Sequence, residues 1–218
     1  RETTMTDTRF SIIGYPYYLK RGKVPLGLKP DMTLYVLNLN NSPATLIAGR
    51  TGSGKSWAVS LLAAVADKNV GLFSVEIVRR GKLPIEDRKL RDSVSFYDVT
   101  NIDDVDDVFE RYRAIIDDRT RELEDLGFTT ATKAREAGHE IEERVLVIDS
   151  FEALLENLGS NSDREEDVLS CLENLIYEGN DLGLHVIVTA QDPMSLPTDI
   201  MGAFFQVDVP EDVDVFSF

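Results

Sequence analysis

The feature that most restricts the fold of this chain is residues 49–56 (GRTGSGKS), which lie between an apolar run and a helical pattern. They fit the pattern Gly-x-x-x-x-Gly-Lys-Ser/Thr, which is specific when a strand precedes it and a helix follows. Small residues let main-chain N–H groups turn inward around a phosphate, and the amino end of the next helix adds its dipole. The segment predicts a triphosphate-binding loop; a loop of this shape that has lost its nucleotide is the alternative.

The roles of the loop residues follow from their chemistry. In such loops the lysine reaches the β- and γ-phosphate oxygens, and the hydroxyl group after it ligates Mg²⁺. These roles fall on Lys55 and Ser56. Trp57 is expected to pack in the core or beside the base of the nucleotide. The loop residues expected to surround the phosphates are Gly49, Arg50, Thr51, Gly52, Ser53 and Gly54.

Short apolar runs alternate with longer helical patterns, which predicts an α/β fold with a mostly parallel central sheet and helices on its faces. One domain is expected over residues 34–218, after an irregular lead-in over residues 1–33 in which Pro and Gly recur. The predicted strands are residues 34–39, 45–48, 72–77, 94–97, 145–148, 186–189 and 204–209.

Two long helices are predicted from apolar residues spaced three and four apart. The first covers residues 103–126 and is expected to stop at Gly127. The second begins near Ser162 and continues to Gly179 or Gly183. Cys171 falls inside it, where we expect a small side chain, packed or half-exposed, and not a nucleophile.

An acidic partner for Mg²⁺ is predicted at Asp149. Four apolar residues, 145–148, place this carboxylate at the carboxyl edge of the sheet, where open α/β sheets bind ligands. A cap for the next helix is the alternative role, and the two are compatible.

Weak hydrolysis is expected from the residues that follow Asp149. Many ATPases of this type have a glutamate directly after this aspartate to polarise the attacking water, but here Ser150 follows and Glu152 comes two positions later. Serine is not a base at neutral pH, so Glu152 is the candidate base. Gln191, just past the strand at residues 186–189, is a candidate contact for the γ-phosphate or the water, or else a solvent-facing turn residue.

The remaining functional candidates are cations that could reach a neighbouring site. No arginine finger is identifiable in the sequence, and Arg119, Arg121 and Arg135, which lie in helical patterns, are the candidates for reaching a neighbour's site. With one cysteine and two histidines, a multi-cysteine metal cluster is excluded. No apolar run approaches the roughly 18 residues of a membrane span. Because the chain starts at Arg1, we expect a piece of a longer polypeptide.

Charge is distributed unevenly along the chain, which has a net charge of −16. Residues 1–97 carry 15 Lys and Arg against 8 Asp and Glu, and residues 98–173 carry 8 against 23. Residues 174–218 carry 8 acidic residues and no Lys or Arg. A protein that holds a nucleic-acid backbone needs clustered cations, so this pattern disfavours DNA. An acidic surface that only keeps the domain soluble is the simpler interpretation.

Four segments resemble the FtsK/SpoIIIE branch of P-loop ATPases. They are residues 24–28 (VPLGL), the loop AGRTGSGKS, the segment VLVIDSFEAL and residues 179–191 (GNDLGLHVIVTAQ), which is similar to the family's "GxHxIxATQ" strand. The lead-in and the missing glutamate look most similar to a C-terminal ATPase module of a type VII secretion motor of the EssC/YukB/EccC kind.

This resemblance implies a RecA-like (ASCE-type) core that binds ATP and Mg²⁺ in the cytoplasmic part of a membrane-anchored chain. It implies other ATPase modules of the same chain or hexamer as partners, and small helical-hairpin secretion substrates. Lys55, Ser56, Asp149 and Gln191 carry over by position. FtsK-type DNA pumps have an arginine after the glutamine where this chain has Asp192. A DNA translocase, and a nucleotide-dependent binding module without turnover, remain the alternatives.

Overall fold

A six-stranded parallel sheet forms the centre of the protein in the computed structural model, which describes residues 23–28, 34–41, 44–69, 71, 73–87, 89–159 and 162–208. Its strand order is β5-β4-β6-β7-β3-β8, and each neighbouring pair is parallel. The strands among the described residues, in chain order, are β1 Lys23–Leu28, β2 Leu34–Asn38, β3 Ala44–Ala48, β4 Phe73–Arg79, β5 Val94–Asp98, β6 Glu143–Asp149, β7 Leu184–Ala190 and β8 Phe205–Asp208.

The first two strands form a separate antiparallel pair, and this corrects the predicted lead-in. Residues 23–28 were expected to be irregular, but they pair with β2 from Lys23↔Asn38 to Leu28↔Leu34. A domain boundary between residues 33 and 34 would therefore divide the pair. Pro25 and Gly27 indicated irregular structure, yet the two-stranded sheet accommodates them through a register shift between these residues. The rest of the predicted lead-in, residues 1–22 and 29–33, lies outside the described residues.

The predicted strands of the central sheet are confirmed to within about two residues. Every residue of β7 is buried, and so is the apolar stretch 145–148 of β6. Strands covered on both faces have continuous apolar sequences, which is why these runs were recognisable. The last prediction, residues 204–209, corresponds to β8, and Val209 lies outside the described residues.

Helices cover both faces of the sheet. They are α1 Lys55–Lys68, α2 Ile102–Leu126, α3 Ala131–Glu136, α4 Phe151–Leu158, α5 Ser162–Tyr177, α6 Gly179–Leu182 and α7 Thr198–Met201. Buried residues of α1 pack with Ile47, Val147 and Ile187, whereas those of α2, α4 and α5 pack with Leu46 and Leu146 of the other face. The alternation of side chains along each strand thus separates two layers of core.

Both predicted long helices are present. The first, α2, ends at Gly127, whose φ of 76° is the left-handed conformation that suits glycine at a helix end. The second, α5, ends at Tyr177, and α6 then ends before Gly183. Cys171 is buried in α5, and burial raises the pKa of its thiol to about 11, as expected for a packed and unreactive side chain.

Candidate nucleotide-binding site

Three strands bring the predicted site residues to one edge of the sheet. Strand β7 lies between β3 and β6, with Ala48 opposite Ala190 and Asp149 opposite Thr189. Because these strands are parallel, their carboxyl ends meet at the same edge. The loop after β3, the carboxylate at the end of β6 and the turn after β7 therefore lie side by side.

The loop at residues 49–56 has a conformation that depends on its glycines. Gly52 has φ 85° and Gly54 has φ 100°, values that residues with a Cβ rarely adopt. The main-chain N–H of Ser53 donates to Arg50 O at 3.1 Å, which closes the turn, and Gly54 directly precedes α1. The Ser53 hydroxyl is buried without a hydrogen-bond partner among the residues that the structure describes. An unsatisfied donor in this loop suits a bound anion.

The side chain of Lys55 folds back onto its own loop. Its Nζ donates to Gly49 O at 2.5 Å and to Arg50 O at 3.0 Å. Burial lowers the pKa of this ammonium group, while the charges of Asp149 and Glu152 act in the opposite direction. The Lys55 side chain therefore lies at the loop, within the electrostatic influence of two carboxylates.

Hydroxyl groups of two other elements hold the Asp149 carboxylate. Ser56 Oγ donates to Asp149 Oδ2 at 3.2 Å, and Thr189 Oγ1 donates to Asp149 Oδ1 at 2.8 Å. Asp149 is only 7% exposed, and burial raises the pKa of its carboxyl group, opposed by both hydrogen bonds and by Lys55. A hydroxyl and a carboxylate oxygen this close are the hard oxygen ligands that Mg²⁺ prefers.

The residue after Asp149 has an unusual main-chain conformation. Ser150 has φ 77° and is the one non-glycine residue with positive φ in the described part of the chain. Its N–H donates to Thr189 Oγ1 at 2.8 Å, and it occupies the N-cap position of α4. The N-cap position therefore belongs to Ser150, so the alternative role of Asp149 as the cap is wrong.

Glu152 points towards the end of β7. Its Oε1 accepts hydrogen bonds from Gln191 N at 2.7 Å, from Ser195 Oγ at 3.1 Å and from Asp192 N at 3.4 Å. Its Oε2 is buried and has no hydrogen-bond partner among the described residues. The candidate base is thus tied to the turn that carries Gln191.

The two other candidates near the loop are exposed. Trp57 is 45% exposed in the first turn of α1, so the core packing considered for it is wrong and a position beside a base remains. Gln191 is exposed and follows the last residue of β7, which fits the turn position considered for it and leaves its side chain open to a ligand.

The candidate arginine fingers lie away from this edge. Arg119 is 8% exposed and its NH1 donates to two main-chain carbonyls, one of them Leu182 O at 2.9 Å. Arg135 pairs with Glu143 at 2.9 Å, where β6 begins. Arg119 is therefore wrong as a finger, because it is buried and its NH1 is used within the fold, whereas Arg135 forms an ion pair within the chain and stays an untested candidate. Arg121 is 69% exposed in its side chain and remains a candidate.

Sequence reasoning did not assign a role to Thr189. Its hydroxyl donates to Asp149 and accepts from Ser150 N, so it fixes the position of the carboxylate. The available signal was a threonine near the end of an otherwise apolar strand, because a hydroxyl buried there needs a partner.

Comparison with known proteins gave matches to solved structures alone, since no family model and no curated protein matched. The conjugation coupling protein TcpA of pCW3, solved with ATPγS, has a TM-score of 0.66 and 19% identity over 86% of this chain and 54% of its own. The cytoplasmic domain of EssC has a TM-score of 0.69 and 16% identity over 86% and 37%. Thermomonospora curvata EccC (ATPases 2 and 3), in complex with a signal sequence peptide, has values of 0.58 and 18% over 84% and 32%.

These similarities confirm the α/β RecA-like fold of P-loop ATPase domains, which the chain shares with the type VII secretion ATPase EccC and with the conjugation coupling protein TcpA. The chain spans about half of the TcpA chain and about a third of the EssC and EccC chains. Among the described residues, no helix is long and apolar enough to cross a membrane.

Proposed function

We propose that this chain is an Mg-ATP-binding, FtsK/SpoIIIE-type ATPase module of a type VII protein secretion motor. The observation that carries the proposal is the convergence of Lys55, Ser56 and Asp149 at one edge of the sheet. These residue types in this order form the phosphate and metal site of P-loop enzymes. The match in fold to ATPase domains of EssC and EccC supports the same assignment.

The chain's own groups would hold the nucleotide in defined ways. Main-chain N–H groups of residues 50–56 would bind the phosphates, and Lys55 would exchange its two carbonyl contacts for β- and γ-phosphate oxygens. Ser56 and Asp149 would hold Mg²⁺, which neutralises charge on the phosphates. Trp57 is proposed to lie on the side of the adenine base, where an exposed aromatic ring can stack.

Turnover by the isolated module is proposed to be slow. Ser150 supplies no base, and Glu152 already accepts three hydrogen bonds on one of its oxygens. Gln191 is proposed to contact the γ-phosphate or the water from the turn after β7. An arginine from a neighbouring module would complete the charge stabilisation.

The proposed partners are other ATPase modules of the same chain or hexamer and small helical-hairpin secretion substrates. The EccC neighbour was solved with a signal sequence peptide and contains more than one ATPase domain, which supports this assignment. The module is proposed to act in the cytoplasmic part of a membrane-anchored chain, because the EssC match is a cytoplasmic domain.

A DNA translocase is the second candidate, favoured by the match to the conjugation protein TcpA. The charge distribution opposes it, because residues 174–218 have no Lys or Arg and DNA binding depends on neutralising phosphates. A module that binds nucleotide and substrate without turnover is the third candidate.

A direct comparison of ligands separates these candidates. The purified chain is titrated with a fluorescently labelled secretion signal peptide and with a labelled 30-base-pair duplex, at about 150 mM salt, where non-specific DNA binding is weak. A scrambled peptide is the matched control. The secretion-motor proposal predicts that the chain binds the signal peptide and does not bind the duplex. Tight, salt-sensitive binding of the duplex with no binding of the peptide would overturn this proposal. Phosphate release in the same samples separates slow turnover from none.

A further inference from the structure

We infer that Glu152 is a positioning residue that couples the phosphate loop to the turn after β7, and not the base that activates water. The inference rests on the proposed function, because it assigns a role within the same site. It is carried by a continuous set of hydrogen bonds that joins Lys55 to Glu152 through the end of β7.

One peptide group lies at the centre of this connection. The carbonyl of Ala190 accepts a hydrogen bond from Gly49 N at 3.2 Å, at the start of the loop. The N–H of the same peptide group, that of Gln191, donates to Glu152 Oε1 at 2.7 Å. The Ala190–Gln191 peptide therefore joins the loop on one side to Glu152 on the other.

Lys55 extends the connection to the place where a phosphate would bind. Its Nζ donates to Gly49 O, on the residue whose N–H contacts Ala190. A phosphate that attracts Lys55 removes this contact from Gly49. The change would reach the Ala190–Gln191 peptide, and hence Glu152, through two hydrogen bonds, so nucleotide binding would alter the turn.

The remaining contacts of Glu152 agree with a positioning role. Oε1 also accepts from Asp192 N and from Ser195 Oγ, so one oxygen holds the first two residues of the turn and a hydroxyl near its end. The turn is further closed by Met194 N donating to Asp192 Oδ1 at 2.9 Å. Gln191, the candidate sensor, is presented by this turn, so its position depends on Glu152.

The negative charge of Glu152 has a second effect on the loop. Together with the charge of Asp149, it acts against the lowering of the Lys55 pKa that burial causes. Oε2 has no hydrogen-bond partner among the described residues, so it is the oxygen available to the nucleotide-bound state. Oε1 thus holds the turn, while Oε2 is without a partner among the described residues.

The test compares two substitutions that differ in one capability. Glu152→Gln keeps an oxygen that can accept from the turn, whereas Glu152→Ala removes it. Amide hydrogen exchange of Gln191 and Asp192 is measured without nucleotide in the whole 218-residue chain. We expect exchange to speed up at least about tenfold in E152A and much less in E152Q, because only the first loses the acceptor. Unchanged exchange in E152A overturns the inference.

The rate of turnover is a second measurement, for which a positioning residue and a catalytic base predict different results. If Glu152 positions the turn, phosphate release falls at least about tenfold more in E152A than in E152Q; a base predicts equal losses, because glutamine cannot take a proton. Equal losses therefore overturn the inference. Ser195→Ala, which removes one donor and keeps Glu152, should give a smaller exchange change in the same direction.

A third measurement separates this inference from the proposed function. Adding Mg-ATP should change the exchange of Gln191 in the unsubstituted chain and leave Lys55→Ala unchanged. If ATP does not bind by calorimetry, the proposed function is contradicted while the nucleotide-free exchange still decides the role of Glu152. If ATP binds and Gln191 exchange does not respond, the coupling is overturned and the proposed function stands.

Discussion

Burial of the Asp149 carboxylate is only partly offset by the hydrogen bonds and the positive charge around it. Its carboxylate is 7% exposed and accepts from two hydroxyls, yet burial still raises the pKa of the group. Ionised Asp149 therefore reduces the stability of the nucleotide-free protein at neutral pH. A divalent cation held by Asp149 and Ser56 would relieve this cost, so binding of the cation would stabilise the folded protein.

Replacing Asp149 by Asn should stabilise the protein in the absence of nucleotide. The amide keeps Oδ1 as an acceptor for Thr189, its Nδ2 can donate to the Ser56 hydroxyl, and it has no charge to bury. A group with a raised pKa in the folded state contributes full stability below its unfolded value of about 4 and loses it as pH rises. The gain in melting temperature should thus be largest near pH 8 and shrink towards pH 4.

Asp118→Asn is the matched control, because this aspartate has a side chain that is 74% exposed. Its melting temperature should stay close to that of the unsubstituted chain throughout. A D149N protein that melts below the unsubstituted chain at pH 8 would contradict this account of the carboxylate.

Ser150 is expected to be a source of main-chain strain. A left-handed conformation costs a residue with a Cβ about 1–2 kcal/mol. Replacing that residue with Gly removes this cost, but the greater conformational freedom of Gly in the unfolded chain offsets part of the gain. Ser150→Gly should raise the free energy of unfolding by about 0.5–1 kcal/mol in a urea titration. Ser150→Ala keeps the Cβ and should give no gain; equal stabilisation by both substitutions would refute the strain.

At the scale of elements, the strands of the central sheet were predictable from the sequence, whereas β1 and the contacts between distant residues were not. The apolar runs of β6 and β7 are continuous because helices cover both faces of the sheet. An uninterrupted apolar run in the sequence was therefore enough to locate these strands. β1 was missed because Pro25 and Gly27 indicate a turn unless pairing with β2 is known. The pairing of Asp149 with Thr189 and of Gln191 with Glu152 joins residues about 40 positions apart, which no local pattern encodes.

Arg119 belongs to the packing of α2 and not to a neighbour's active site. Arg119→Met should lower the free energy of unfolding by about 2 kcal/mol or more, because it leaves two main-chain carbonyls without a donor in a buried place. Arg121→Met, on the same helix but exposed, should change it by less than about 0.5 kcal/mol. Urea unfolding of both variants measures these changes. A change for Arg119→Met as small as that for Arg121→Met would show that Arg119 does not support the fold.

At the scale of the whole molecule, the sheet order explains why distant motifs form one site. β7 separates the loop strand β3 from β6, so the loop, Asp149 and the turn after β7 occupy one edge. The whole chain has a net charge of −16, and its last 45 residues have no Lys or Arg. This charge distribution argues against DNA as the ligand, because binding of a nucleic-acid backbone depends on clustered cations.

The central claim is that Lys55, Ser56 and Asp149 form a site for Mg-ATP, and calorimetric titration tests it most directly. Mg-ATP is titrated into the unsubstituted chain, into Lys55→Ala and into Lys68→Ala, whose lysine ends the same helix with a 67% exposed side chain. We predict binding by the unsubstituted and Lys68→Ala proteins with affinities within about twofold, and at least about 100-fold weaker binding by Lys55→Ala. Equal binding by all three proteins, or none by the unsubstituted chain, would contradict the claim.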